Sequence, residues 1–441
     1  MNNLTEEQHR AHDGVVQALK HGNAMLQGGP GVGKTFTTRE IVRTLQGQGY
    51  VVGCAASTNK AANVLTNALG IKGMAGTTIH KALGLRLEES MGRTRLVPGG
   101  EATLPSFDVM LIDESSMLND EVVDHIEAQA GGVGGSDLDD VFGASARKAG
   151  TRILYIGDVA QLPPVNQGIV ARPFRDPSVQ RFTLTRVMRQ KEGSAILPLL
   201  AAIRNYIDDE LPLGVGAFAE TDLPDLRIVT RDHMGRALDE LAAHTDGENL
   251  VIGWTNSVVD AANQEMRIRR YGEQALRADY LAGETVLMRK PVMTGMKTLA
   301  SVGETFEIQG AELCDMEFDV AGNSFETIRY WALDLVGLPR VAINVVDRGS
   351  MAGWKRVLDY RRAEALSAGT SEGWKDFYAT RDWAADLQTH HAITAHRSQG
   401  STYTRVVVDA ADILKNPDHV EAARCLYVAC SRPSQHLTLV F

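Results

Sequence analysis

At 441 residues the chain is long enough for two or three domains, each with its own core. A formal net charge of −10 argues against a general electrostatic grip on nucleic acid, so any such contact must be a local groove. The four cysteines, Cys54, Cys314, Cys425 and Cys430, are too few and too scattered for a disulfide or zinc framework and read as reduced thiols. No window of eighteen apolar residues occurs, and Met1-Asn2-Asn3-Leu4-Thr5 is unlike a signal peptide, which predicts an intracellular protein.

The first predicted element is an amphipathic helix opened by Leu4-Thr5-Glu6-Glu7-Gln8, with Thr5 as N-cap and Gln8 at the capping-box spacing. The apolar run Ala24-Met25-Leu26 then leads into Gly28-Gly29-Pro30-Gly31-Val32-Gly33-Lys34-Thr35, followed by a helix-like stretch from Phe36 to Leu45. A strand, a glycine turn and a helix start are the context of a phosphate-binding loop of the form G-x-x-x-x-G-K-[ST]. Its backbone N–H groups can close on phosphate oxygens, Lys34 supplies a point charge between the β- and γ-phosphates, and the Thr35 hydroxyl can ligate Mg²⁺. A solvent-exposed glycine turn is the bland alternative.

Tyr50 to Ala56 reads as a buried strand, and Ser57-Thr58-Asn59-Lys60 as a polar turn entering a helix at the carboxyl edge of the sheet. Residues 85 to 97 alternate around a Met-Gly turn and read as a hairpin. Val109-Met110-Leu111-Ile112-Asp113-Glu114 is an apolar strand ending in two carboxylates: Asp113 can hold Mg²⁺, and Glu114 can take a proton from an attacking water. Glycine-rich, acidic residues 130 to 140 read as a flexible loop with no assigned function. A further strand, Arg152 to Ile156, ends in Gly157-Asp158-Val159-Ala160-Gln161-Leu162-Pro163-Pro164-Val165, where Gln161 could sense the γ-phosphate. Between residues 276 and 386 lie short β-like runs at 285–288, 306–308, 328–333 and 341–346, and then a helical, charged stretch, 353–387, carrying Trp354, Trp374, Tyr378 and Trp383. Most of these aromatics are expected to be packing residues rather than base-stacking ones.

Taken together, Gly28 to Thr35, Asp113-Glu114-Ser115-Ser116-Met117 and Gly157 to Val165 resemble the first three helicase motifs of superfamily 1. Leu184-Thr185-Arg186-Val187-Met188-Arg189-Gln190, Gly253-Trp254-Thr255-Asn256, Thr394-Ala395-His396-Arg397-Ser398-Gln399-Gly400-Ser401 and Leu426-Tyr427-Val428-Ala429-Cys430-Ser431-Arg432 follow in the family's order. Size and motif order most resemble the Dda-type phage helicases and the RecD-like branch, superfamily 1B.

The resemblance implies an α/β fold of two RecA-like parallel-sheet lobes with a β-hairpin pin and an SH3-like β-rich insertion. The first lobe would span 1–190, with the pin at about 85–105; the second would span 191–275 and 387–441, and the SH3-like and helical insertion 276–386. ATP and Mg²⁺ would bind at Gln8, Gly29, Gly31, Val32, Gly33, Lys34, Thr35 and Phe36, with Gln8 reading adenine and Thr35 and Asp113 holding the metal. Lys34, Asp113, Glu114, Gln161 and two arginine fingers, Arg189 and Arg432, would carry catalysis. Ser57, Thr58, Thr78 and His80 on one lobe and Thr255, Asn256, Thr394, His396 and Ser401 on the other would touch DNA, although such residues also cap helices and turns.

Two features depart from the family pattern. No aromatic residue lies between Lys81 and Ser106, which leaves Leu85, Leu87, Met91 or Leu96 to give the pin an apolar edge, and Arg397 stands where many relatives carry Lys. The implied activity is ATP-dependent 5′-to-3′ DNA unwinding on single-stranded DNA and DNA forks, with single-strand-binding or replication proteins as partners, in a bacterial or phage-infected cytoplasm. A translocating ATPase without strong unwinding, a superfamily 1 RNA helicase and a non-enzymatic nucleotide switch are the alternatives.

Overall fold

A computed structural model describes the chain apart from residues 1–3, 58, 71–75, 91–92, 132–149, 165–169, 187–193, 211–217, 295–296, 322–323 and 340–341. The chain forms two compact units, one made of 1–233 with 398–441 and the other of 234–397. This division differs from the expected boundaries: residues 194–210, 218–233 and 398–441 are grouped with the phosphate loop, and the middle unit takes in more than the insertion. The Ile196–Asp208 helix packs on the His419–Cys430 helix, which gives that grouping its physical basis.

The first unit is built on a parallel six-stranded sheet in the order Gly76–Thr78, Val52–Ala56, Val109–Asp113, Arg152–Gly157, Ala24–Gly28, Gln180–Leu184. Such strands are covered on both faces and therefore read as continuous apolar runs. Met25, Leu26, Met110, Leu111 and Leu154 accordingly have no exposed surface. The register sets Ala56 beside Asp113 and Gln27 beside Gly157, so the strand tips that carry the nucleotide motifs share one carboxyl edge. The Glu6–Ala18 helix covers one face through Ala11, Val15 and Val16. The same unit holds the parallel strands Tyr403–Asp409, Pro433–Val440 and Leu226–Val229, with Thr221–Asp222 antiparallel at their edge.

Leu85–Ser90 and Arg93–Pro98 pair as an antiparallel hairpin. Leu85 and Leu96 pack at its base against the core that contains Ile79, Leu104 and Ile112, so two of the four candidates for an apolar edge are engaged in packing. The side chains of Leu87 and Met91 lie outside the described residues, as does most of the glycine-rich stretch: the Asp120–Ala130 helix ends at Gly131, and 132–140 are not described.

In the second unit Asn249–Gly253 pairs in parallel with Ala392–Thr394. The strands of the expected SH3-like insertion form a five-stranded sheet in the order Ile343–Val346, Ser324–Leu335, Thr305–Ala321, Thr285–Met288, Leu387–Thr389, with antiparallel pairing throughout, and the Ala385 amide, just before the last strand, donates to the Asn344 carbonyl of the first at 2.7 Å. Helices Met351–Ala368 and Ser371–Asp382 follow. Trp354 and Trp383 pack around Phe318, whereas Trp374, Phe377 and Tyr378 form a half-exposed cluster of their own. Among the described residues no helix is long and apolar enough to cross a membrane.

Candidate nucleotide site and nucleic-acid interface

The phosphate loop leaves its strand at Gly28, where a Cβ would sit 2.3 Å from the Leu184 carbonyl oxygen. Gly31 and Gly33 hold left-handed φ values of +78° and +87°, which glycine adopts without strain. Gly33 is the N-cap of the Lys34–Gly47 helix and provides no side-chain cap, so the first N–H groups of a four-turn helix point into the loop. Lys34 Nζ donates to the carbonyls of Gly28 at 2.6 Å and Gly29 at 3.1 Å. Val32 is buried, Thr35 is exposed, and half-buried Phe36 carries the Arg39 guanidinium 4.8 Å from its ring centre.

Gln8 is 3% exposed and engaged at both ends of its amide. Its Oε1 accepts from the Thr5 N–H at 3.0 Å, completing the capping box, and its Nε2 lies 3.5 Å from the Val32 carbonyl of the phosphate loop. Capping and contact with the nucleotide loop are thus simultaneous rather than exclusive. The neighbouring Glu7 carboxylate accepts from the Thr185 amide, the Thr185 hydroxyl and the Arg186 amide, tying down the start of the segment that leads to Arg189. Arg189 itself lies outside the described residues.

Asp113 and Glu114 leave the sheet at its carboxyl edge. Glu114 has φ +52° and ψ +40°, a left-handed backbone that costs a non-glycine residue about 1 kcal/mol or more. Its amide donates to Asp113 Oδ1 at 2.9 Å. Burial raises Asp113 above the usual carboxylate range, opposed by that amide and by Lys34. Burial raises Glu114 as well, the Asp113 charge adds to it, and Arg432 and Lys34 oppose it. Both cations therefore act on the same carboxylate. A hydroxyl and a carboxylate, Thr35 and Asp113, are the hard-oxygen donors that Mg²⁺ takes, and a bound cation would relieve the repulsion between two half-buried acids side by side.

Gln161 is buried, and its Oε1 accepts from Gln399 Nε2 at 3.0 Å. Gln399 Nε2 also lies 3.4 Å from the Ser116 hydroxyl, so one amide joins the strand-tip segments after Asp113 and Gly157. A Cβ on Gly400 would stand 3.7 Å from Glu114 Oε1. Arg432 is 5% exposed rather than a surface ion-pair residue; its guanidinium donates to the carbonyls of Val428 and Ser401 and to the Ser431 hydroxyl. Gln399 was not among the sequence candidates, although it lies within a quoted motif.

Several expected DNA residues perform turn chemistry here. Thr78 Oγ1 accepts from the Lys81 amide, Thr255 Oγ1 caps the Asn256–Tyr271 helix through the Val258 amide, and Thr394 Oγ1 accepts from the Arg397 amide. A capping threonine uses its oxygen as acceptor and keeps its O–H as a donor, so capping does not prevent phosphate binding. Ser57 and His80 are half-buried, Asn256 is exposed, His396 is half-buried and Ser401 is 8% exposed; Thr58 lies outside the described residues. Burial lowers the His80 pKa, with Glu121 opposing. Ser57, Thr78, His80 and Ser401 belong to the first unit; Thr255, Asn256, Thr394 and His396 belong to the second.

Residues 3–211 match an AAA domain family and residues 389–440 match the UvrD-like helicase C-terminal domain. The chain is 30% identical over 211 residues to the ATP-dependent RecD2 DNA helicase of Deinococcus radiodurans, covering 47% of this chain and 24% of that one. It is 26% identical over 312 residues to the RecBCD enzyme subunit RecD of Mycobacterium tuberculosis, covering 57% and 48%. The chain thus spans about a quarter of the first of these relatives and about half of the second. The fold is similar to that of the Pif1 helicase from Candida albicans, with a TM-score of 0.50 at 18% identity, over 100% of this chain and 94% of that one.

Proposed function

We propose that the chain is a helicase of superfamily 1B, as its matches to an AAA domain, a UvrD-like helicase C-terminal domain and the RecD relatives support, and that it hydrolyses ATP to move 5′ to 3′ along single-stranded DNA and part the duplex ahead of it. The supporting observation is the carboxyl edge of the first sheet, where Glu114 stands beside Asp113 and under the fields of Lys34 and Arg432, with Gln161 held by Gln399. In this reading the phosphates draw Lys34 Nζ away from the Gly28 and Gly29 carbonyls, and the N–H groups at the start of the Lys34–Gly47 helix receive phosphate oxygens. Glu114 accepts a proton from the attacking water. Arg432, and Arg189 by resemblance, add positive charge to the γ-phosphate, a role worth about 10³ to 10⁵ in rate in related phosphoryl transfers. Thr35 and Asp113 would hold Mg²⁺, which when bound neutralises developing phosphate charge.

Direction of movement comes from the resemblance, through the hairpin at 85–98 and the β-rich residues after 276. Single-stranded DNA and forks are the proposed substrates, and single-strand-binding or replication proteins the proposed partners. One observation favours a second reading, translocation without strong unwinding: Leu85 and Leu96 are committed to the core, and no aromatic residue stands on the hairpin.

Hydrolysis is tested directly at the two central residues. Lys34→Ala should abolish ATPase activity, while Glu114→Gln should bind ATP and single-stranded DNA and turn over about a hundredfold or more slower. Turnover near wild type in Glu114→Gln would remove it from the role of base.

A further inference from the structure

Against the phosphate loop lies a polar cluster to which the ATP-site reading gives no part. Asp158, just past the Arg152–Gly157 strand, has no exposed surface, yet both its carboxylate oxygens are engaged. Oδ1 accepts from Arg204 Nη1 at 3.3 Å and from the Ala160 amide at 3.1 Å, and Oδ2 accepts the Tyr427 hydroxyl at 3.0 Å. Arg204, on the Ile196–Asp208 helix, also stands 3.5 Å from the Tyr427 hydroxyl and 3.7 Å from Asp208. One turn before Tyr427, Arg424 Nη1 donates to the carbonyls of Val159 and Gln161, the latter at 2.7 Å. A Cβ on Gly29 would lie 3.1 Å from the Tyr427 hydroxyl and 3.8 Å from Arg204 Nη1, so the cluster touches the loop that takes the phosphates.

We propose that Arg204 is a positioning residue for ATP hydrolysis, which neutralises buried Asp158 and so, with Tyr427, holds the 158–161 turn and Gln161 in the place that turnover requires. This rests on the ATP site proposed above. A carboxylate shut off from water needs a cationic partner, and Arg204 is the one within hydrogen-bond reach among the described residues. Without it the buried carboxylate is left without a compensating charge, so its bonds to Ala160 and Tyr427 change and the turn carrying Gln161 moves. Arg204 acts on this turn and not on the nucleotide, so its loss should fall on turnover rather than on ATP binding.

The test is steady-state ATPase activity of the full chain with single-stranded DNA present, together with direct ATP binding, for Arg204→Gln, Arg204→Lys, Asp158→Asn and the double variant Asp158→Asn with Arg204→Gln. Arg204→Gln should lower kcat about tenfold or more with KM for ATP within about twofold, and Arg204→Lys, which keeps the charge, should recover a large part of the loss. On Asp158→Asn, which needs no cation, the added Arg204→Gln should cost no further kcat. If Arg204→Gln alone does not fold, the charge-neutral double variant compared with Asp158→Asn carries the test. Wild-type kcat in Arg204→Gln, a loss confined to KM, or an added loss in the double variant would overturn the proposal. Lys34→Ala separates the premises: activity in that variant sinks the ATP site itself, whereas a dead Lys34→Ala beside a fully active Arg204→Gln sinks only the role of Arg204.

Discussion

Gln8 links the first helix to the phosphate loop through one amide: Oε1 closes the capping box and Nε2 faces the Val32 carbonyl. Gln8→Glu keeps an oxygen for the cap but sets a second acceptor against Val32 in a buried position. It should cost about 1–3 kcal/mol, read by urea unfolding, and should reduce discrimination of ATP from GTP if the amide also reads the base. Unchanged stability would mean that the Nε2 contact carries nothing. The phosphate loop, Asp113 and Glu114 are legible in the sequence because their chemistry is attached to a local spacing. Gln399, Arg204 and Tyr427 are not. Gln399 reaches Gln161 across 238 positions and Tyr427 reaches Asp158 across 269, so no local pattern distinguishes them from ordinary polar residues. The capping duties of Thr78, Thr255 and Thr394 were foreseeable as turn chemistry, and only the structure assigns each its backbone partner.

The hairpin at 85–98 shows what a two-residue period can and cannot reveal. Alternation marks the pairing of Leu87 with Leu96 and of Glu89 with Thr94, but not that Leu85 and Leu96 fasten the base to the core below. Replacing residues 88–94 by a short glycine-serine turn should leave these anchors and the single-strand-stimulated ATPase in place while sharply reducing duplex unwinding. Unwinding at the wild-type rate would put the wedge elsewhere, with half-exposed Trp374, Phe377 and Tyr378 on the Ser371–Asp382 helix the next candidates. The β-like runs of the insertion were legible because apolar and β-branched residues cluster there. The extent of the Thr305–Ala321 strand was not, since its outer half carries Glu312, Asp315 and Glu317 and reads as loop by composition.

At the scale of the whole molecule, each compact unit has its own buried electrostatic anchor: Asp158 with Arg204 in the first, Glu284 with Arg267 in the second. Arg267 Nε and Nη2 meet the two Glu284 oxygens at 2.6 and 3.1 Å, joining the Asn256–Tyr271 helix to the start of the antiparallel sheet. Burial raises the Glu284 pKa, but His391 and Arg267 outweigh it, so the group sits below its ordinary value of 4.5. Its contribution to stability is therefore complete above that value and is lost as the pH falls through the lowered pKa. Removing one partner, as in Glu284→Ala, should cost about 3–5 kcal/mol at neutral pH in equilibrium unfolding; a loss under about 1 kcal/mol would mean that the pair is not desolvated in solution.

ATP turnover coupled to directional strand separation is tested most directly with a pair of duplexes identical except for the overhang, given ATP, Mg²⁺ and trap strand. Unwinding should proceed from the 5′ overhang alone, be absent with Lys34→Ala, and be slower with Thr78→Ala and His80→Ala together at unchanged ATP binding. Unwinding from the 3′ overhang alone would contradict the direction, and no unwinding from either, with DNA-stimulated hydrolysis intact, would contradict the helicase itself.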